Sequence, residues 1–160
     1  MDATAARSVL RDAYLVRRDL CDAVEEQNIQ RVRIVWVTSL TLLRSVGHVL
    51  AKVDSKRSKW IGDASAHQFA ALKVARFENV IYWEFIENER NLVLKEYASS
   101  IIDRCAQQDH GRRAVLRDIL IGIDLYTPQA ACDAAFLWWE RYLERVESLA
   151  AMLRRANLTG

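Results

Sequence analysis

The segment ENERNLVLKEY, Glu87–Tyr97, places an arginine in the apolar face of a long helical stretch. At 3.6 residues per turn, Arg90 lies within about 60° of a stripe of apolar and aromatic residues. The members of this stripe are Trp83, Ile86, Val93, Leu94, Tyr97 and Ile101. Because an isolated charge is costly to bury, this arginine must be paired within the chain, shared with a partner chain, or held for chemistry.

The same stretch carries a second apolar stripe, formed by Ile81, Phe85 and Leu92. A helix in a four-helix monomer usually buries a single face. Two stripes therefore predict a central helix that packs against its own bundle and against a second copy of the chain, so we expect a homodimer.

Helical periodicity extends outward from this stretch over most of the chain. It predicts four main helices, at about residues 3–27, 29–53, 75–107 and 128–156. The last helix has a strong start signal in Thr127-Pro128, a cap followed by proline at the first helical position. The side chains expected to face inward are Val9, Ala13, Val16, Leu20 and Val24 in the first helix, Val35, Leu42, Val46, Val49 and Val53 in the second, and Trp138, Tyr142, Leu149 and Met152 in the last. The prediction is an all-α fold, a bundle of four main helices in one domain, residues 1–160.

Two connecting segments are less regular. The basic segment SKRSKWIGD, Ser55–Asp63, is predicted to be a loop, with Asp63 or Ser65 capping a short helical piece after it. The segment AVLRDILIGIDLY, Ala114–Tyr126, is rich in β-branched residues and predicts either a short extended segment or hairpin, or a fifth short helix.

Composition describes an ordinary globular chain. Its 160 residues are 51% hydrophobic and 28% charged, and five glycines and one proline favour long helices with short connections. The net charge of +2 neither demands nor excludes nucleic acid. Cys21, Cys105 and Cys132 lie far apart without metal-ligand spacing, which favours reduced thiols in the cytoplasm. No metal or other cofactor is expected.

A membrane location is not predicted. The N-terminal residues mix charges with small side chains and lack the apolar stretch of a signal peptide. The longest nearly apolar run, IVWVTSLTLL, Ile34–Leu43, is about half a membrane span. We therefore expect a soluble, cytoplasmic protein.

The residues Arg90-Asn91-Leu92-Val93-Leu94-Lys95-Glu96-Tyr97 resemble the motif of the HEPN superfamily, in which a polar residue follows an arginine and a histidine lies four to six residues beyond it. The nearest form is the Arg-x4-His-x-Tyr variant of HEPN toxins that are paired with nucleotidyltransferase antitoxins. The resemblance covers this motif, the number of helices and the chain length. It implies an all-α dimer with a metal-independent ribonuclease cleft at the dimer interface, where Arg90, Asn91 and Tyr97 would act. It also implies RNA and an antitoxin or nucleotidyltransferase as partners.

Lys95 stands where the motif has its histidine. Metal-independent RNA cleavage needs a proton removed from the 2′-hydroxyl, a proton given to the leaving oxygen, and stabilisation of the charged phosphorane. Arginine can supply the last of these, whereas a lysine stays protonated near neutral pH unless it is strongly desolvated. Lys95 is therefore expected to bind phosphate, and the protein to be weakly active or inactive as a ribonuclease.

Two other histidines are candidates for the missing one. Arg44 and His48, in LLRSVGH, lie four residues apart on one face of the second helix, and they are expected to line the cleft of Arg90 unless His48 is only a hydrogen-bonded residue in a helix–helix seam. Arg104 and His110 also have the motif spacing, but they favour a cationic helix C-terminus.

Two functions remain open at the level of sequence. The first is a HEPN-like toxin–antitoxin or defence protein with a dimeric, RNA-directed cleft, whose candidate catalytic residues are Arg90, Asn91 and His48 and whose candidate substrate-binding residues are Lys95, Tyr97 and Arg44. The second is a non-enzymatic helical module for protein–protein interaction, in which Glu87 pairs with Arg90 and fixes the packing register.

Overall fold

The computed structural model describes residues 3–96, 100–102 and 116–158, and these form five helices and one β-hairpin. The helices are α1 (Thr4–Glu25), α2 (Ile29–Val49), α3 (Lys59–Val74), α4 (Asn88–Glu96) and α5 (Pro128–Leu158). Two π-helical segments adjoin them: Leu50–Asp54 extends α2 into a last turn, Ser55–Arg57, and Ile81–Glu87 leads directly into α4. The main helix contacts are those of α1 with α2 and of α3 with α5.

The hairpin lies where the sequence left a choice between an extended segment and a fifth short helix. Strands β1 (Ile119–Ile121) and β2 (Asp124–Tyr126) pair in antiparallel register, with Leu120 opposite Leu125. Gly122 has a φ of +65° in the connecting turn, a conformation that glycine adopts without a steric penalty. The hairpin prediction is therefore confirmed. The predicted start of α5 is also confirmed, because the Thr127 hydroxyl accepts a hydrogen bond from the Ala130 N–H at 3.2 Å.

The predicted loop at residues 55–63 is wrong. The helical rod of α2 runs to Arg57, and α3 begins at Lys59. Only Ser58 is extended, and its hydroxyl accepts from the Ile61 N–H, so Ser58 rather than Asp63 or Ser65 caps the helix. The short helical piece predicted after the basic segment is therefore a full helix, α3, which begins earlier and runs to Val74. The structure has five helices where four main ones were expected.

The predicted third helix, 75–107, is also wrong in its extent. Residues Phe77–Asn79 form a 3-10 turn before the π-helical segment, and Ser100 and Ile101 lie in a turn. Ile102 then forms an isolated antiparallel bridge with Leu116. The carboxylate of Glu89 accepts from both the N–H and the hydroxyl of Ser100, which fixes this turn against α4.

The inward faces were predicted in part. Ala13, Leu20, Val46 and Tyr142 are buried as expected, whereas Met152 is 64% exposed and that assignment is wrong. In α2 the buried face is turned toward Val32, Trp36, Leu40 and Leu43, and the expected Val35 and Leu42 only pack at its margin. The run IVWVTSLTLL is apolar around most of the helix, so its periodicity does not fix which side faces the core.

The apolar stripes of the α4 region are covered within one chain. Phe85, Ile86, Val93 and Ile101 are all at most 3% exposed, and Ile81 and Trp83 pack against the core as half-buried residues. Leu92 is the exception, because it is only half-buried and lines an open depression on α4. Most of the excess apolar surface that led us to expect a dimer through this helix is therefore not found among the described members of the stripes. The dimer itself stays a prediction.

The N-terminus of α1 is held by carboxylates from other helices. Asp54, 3% exposed in the π-helical segment after α2, accepts from the N–H groups of Ala5 and Ala6 at 3.1 and 2.8 Å. Glu147 of α5 accepts from the Ala3 N–H at 2.9 Å and forms an ion pair with Arg7. These contacts satisfy backbone N–H groups in the first turn of α1, where the N-cap residue Ala3 has no side chain that could accept their hydrogen bonds. The Asp54 contacts also tie the end of α2 to α1.

The rod Ile29–Arg57 is long and apolar enough to cross a membrane by length and composition, although its central apolar run is short. Its most apolar window has a mean hydropathy of 1.5, and 33% of that window is buried inside the protein. Core helices of soluble proteins satisfy the same criterion. The soluble, cytoplasmic location stays a prediction.

Candidate functional site

One cleft brings together three of the predicted site residues. Its walls are Thr41, Arg44, Ser45 and His48 on one face of α2 and Arg90 of α4, and it encloses about 320 Å³. We call it the Arg90 cleft. The α2 residues follow the i, i+3, i+4, i+7 spacing of a single helix face, so α2 presents Arg44 and His48 beside Arg90. The expectation that Arg44 and His48 share a cleft with Arg90 agrees with this geometry.

Glu87 pairs with Arg44 and not with Arg90. Glu87 Oε2 lies 2.8 Å from Arg44 Nε, and both side chains are about one-third exposed. Although the distance is that of an ion pair, Oε2 accepts no well-directed hydrogen bond. The predicted Glu87–Arg90 pair is therefore wrong. The π-helical segment ending at Glu87 changes the angular relation between Glu87 and the α-helical residues after it, so the i, i+3 rule does not hold across this junction.

Arg90 is half-buried and makes no ion pair within the described part of the chain. Its Nη1 donates to Asn91 Oδ1 at 3.0 Å. The Asn91 side chain thus orients the guanidinium group from the adjacent position.

Asn91 and Lys95 line a different cleft. This open depression of about 390 Å³, the Asn91 cleft, also contains Glu84, Asn88, Glu89 and Leu92. Lys95 is exposed there, and it does not line the Arg90 cleft with His48 and Arg90. Tyr97, Arg104 and His110 lie outside the described residues.

The burial of Glu89 was not predicted from the sequence. Glu89 is 6% exposed, and its Oε1 accepts from Trp36 Nε1 at 3.3 Å and from the Ser100 hydroxyl at 2.7 Å. This carboxylate joins α2, α4 and the turn at Ser100, and so holds Arg90 in place one residue further on. A glutamate within a polar strip carries no sequence signal of burial.

A second cavity adjoins the Arg90 cleft and was also missed. It encloses about 410 Å³ between α2, α3 and α5, and Arg44 and His48 line it as well. We call it the inner pocket. Its aromatic wall consists of Phe69, Tyr82, Trp139 and Tyr142. Gly47 admits Trp139, because a Cβ at Gly47 would lie 2.8 Å from Trp139 Cη2.

The wall belongs to an aromatic cluster in which Trp138 stacks on Tyr142 with ring centroids 5.0 Å apart, and Tyr82 contacts both Trp138 and Trp139. Burial raises the pKa of Tyr142 to about 12. Burial also raises the pKa of Tyr82, against the opposing effect of the Arg44 charge. Both phenols are therefore neutral hydrogen-bonding groups at physiological pH.

Among the residues that the structure describes, no group of three histidine, cysteine, aspartate or glutamate side chains is placed to hold a metal ion. Glu84, Glu87 and Glu89 instead bind three separate partners: the Gly122 N–H, Arg44, and Trp36 with Ser100. Comparison with protein-family models, curated proteins and solved structures returned no match to this chain.

Proposed function

We propose that this chain is a HEPN-like, RNA-directed protein of the toxin–antitoxin or defence type, and that the Arg90 cleft holds the phosphates of a single strand. The observation that carries the proposal is the convergence of Arg44, His48 and Arg90 on one cleft. Two guanidinium groups beside an imidazole form an arrangement suited to a phosphodiester, since arginine binds phosphate oxygens and histidine transfers protons near neutral pH.

Each residue has a distinct role in this proposal. Arg90, oriented by Asn91, binds the phosphate and stabilises charge that develops on it. Arg44 binds a neighbouring phosphate oxygen, while Glu87 holds its Nε. His48 is the group that can move a proton, and it reaches the cleft from α2 instead of from the motif position.

Cleavage is expected to be weak or absent. RNA cleavage needs both a base and an acid, and His48 is the only described residue lining the Arg90 cleft that transfers protons readily near neutral pH. Lys95 lines the Asn91 cleft and is not available to this site. The main activity of this chain would then be RNA binding, and its partner in the cytoplasm would be a nucleotidyltransferase or another antitoxin.

The test is binding of a labelled single-stranded RNA at low salt, with a chelator present, followed by fluorescence anisotropy. Arg90→Gln should weaken binding several-fold and reduce the salt dependence by about 0.7 in the slope of log K against log salt, the value for one lost phosphate contact to a single strand. The matched control is Arg141→Gln, which removes an exposed arginine of α5. Absence of RNA binding by the wild type, or equal losses in both variants, would overturn the proposal.

Cleavage is followed in the same samples with total RNA. We expect little or no product from the wild type. If efficient metal-independent cleavage occurs and requires both Arg90 and His48, the RNA-directed function stands but our expectation of weak activity is wrong.

A second candidate function is a non-enzymatic protein–protein interaction module. The observation that favours it is the hairpin, whose cross-strand neighbours Leu120 and Leu125 are 63% and 69% exposed and whose Ile123 is 94% exposed at the turn. An exposed cluster of this kind is typical of a contact surface. Loss of partner binding on changing the hairpin, with no effect of Arg90→Gln, would favour this function over the first.

A further inference from the structure

The inner pocket has the size and wall chemistry of a small-molecule site, and no role has been assigned to it so far. Its volume of about 410 Å³ falls in the range of about 300–1,000 Å³ found for ligand pockets. We infer that it binds one unpaired nucleobase of the strand whose phosphate lies on Arg44 and His48. This inference rests on the RNA-directed function proposed above.

The aromatic wall suits a planar base. Proteins that bind single-stranded nucleic acid stack the bases on aromatic side chains, and Phe69, Tyr82 and Tyr142 line the pocket. Phe69 is 39% exposed, so its ring is accessible to a base entering the pocket.

The charge at the pocket's mouth fits the phosphate of the same nucleotide. Arg44 and His48 line both the inner pocket and the Arg90 cleft. The ion pair of Arg44 with Glu87 lies beside this shared lining, with Arg44 Nε 2.8 Å from Glu87 Oε2. A nucleotide has the matching layout, with an apolar planar base on one side and an anionic phosphate on the other.

The two π-helical segments both reach this pocket, which is an independent observation. Leu50 and Ala51 come from Leu50–Asp54, and Tyr82 comes from Ile81–Glu87. Such segments are rare and occur frequently at functional sites. In this chain both place wall residues around one cavity.

The test compares a short single-stranded RNA with a strand of the same length that has the ribose-phosphate backbone but no bases. The wild type should bind the RNA at least about fivefold more tightly, which is the lower end of the effect of stacking one base on an aromatic side chain. Ala66→Phe should fill the pocket from α3 and lower RNA affinity to that of the baseless strand. Ala70→Phe, one turn further along α3 and also exposed, is the matched control and should bind like the wild type.

Equal binding of the two strands by the wild type would overturn the base pocket and leave the phosphate cleft intact. Binding of neither strand would overturn both the pocket and the proposed function. RNA preference that persists in a folded Ala66→Phe protein would also overturn the pocket. If Ala66→Phe does not fold, the wild-type comparison decides, because it requires no substitution.

Discussion

At the scale of single residues, two neighbouring charged residues on α4 differ in their surroundings: one is buried and hydrogen-bonded, and the other faces a cleft. Glu89 is buried and accepts hydrogen bonds from Trp36 and Ser100. Arg90 is half-buried, faces a cleft and makes no ion pair within the described residues. Sequence reasoning identified Arg90 as unusual, but it gave Arg90 the wrong partner and did not predict the burial of Glu89.

The stabilities of two alanine variants should therefore differ strongly. Glu89→Ala leaves the Trp36 indole N–H and the Ser100 donors without their acceptor, and we expect a loss of about 2–4 kcal/mol in the free energy of unfolding. Arg90→Ala should cost less than about 1 kcal/mol, because no buried partner is left unpaired. Denaturant unfolding of both variants measures this difference. A large loss in Arg90→Ala would mean that Arg90 is a structural ion and not a cleft residue.

The buried phenols predict a loss of stability at alkaline pH. An unfolded tyrosine ionises near pH 10, whereas burial raises the pKa of Tyr142 in the folded protein to about 12. The folded state retains this proton longer, so the stabilisation is complete below about pH 10 and is lost as the pH rises to about 12. Tyr142→Phe should reduce the fall in melting temperature between about pH 8 and about pH 11, while Tyr14→Phe, at an exposed tyrosine, should not. An equal fall in wild type and Tyr142→Phe would contradict this assignment.

At the scale of elements, the sequence predicts secondary structure well where a single local feature determines it. Thr127-Pro128 starts α5, and the β-branched residues around Gly122 form the hairpin. The basic segment 55–63 was mistaken for a loop because its charges suggested solvent, although a helix accommodates exposed lysines equally well. The π-helical segments have no sequence signal of their own, although they contribute Leu50, Ala51 and Tyr82 to the lining of the inner pocket. The α2 part of the Arg90 cleft was predictable from spacing alone, whereas the partner of Glu87 was not.

One contact between elements gives a direct test of this packing. Asp54 caps α1 from the end of α2 through the N–H groups of Ala5 and Ala6. Asp54→Ala should lower the free energy of unfolding by about 1–3 kcal/mol, because two buried donors lose their acceptor. Asp63→Ala is the matched control: Asp63 is exposed within α3, and its loss should cost less than about 0.5 kcal/mol. Equal effects of the two substitutions on the thermal midpoint would show that the Asp54 cap contributes little.

At the scale of the whole molecule, the reason for expecting a homodimer has changed. The described apolar residues of the α4 region are mostly covered by the chain itself. The hairpin, in contrast, exposes Leu120, Ile123 and Leu125 together. If two copies associate, the hairpin is the better candidate for the contact, since its outer edges pair with no other described strand and such edges pair readily with another strand.

We expect light scattering at micromolar concentration to give twice the chain mass of 18.4 kDa. A charge at the hairpin should disrupt this dimer, so Leu125→Lys should yield a folded monomer, because Leu125 is 69% exposed in the single chain and is not needed for its core. Leu92→Lys on α4 is the control, and it should leave the dimer intact if the hairpin forms the interface. Dissociation by Leu92→Lys alone would return the interface to α4, on the side of the Asn91 cleft. A wild-type monomer would remove the shared cleft altogether, and RNA binding would then depend on the Arg90 cleft of a single chain.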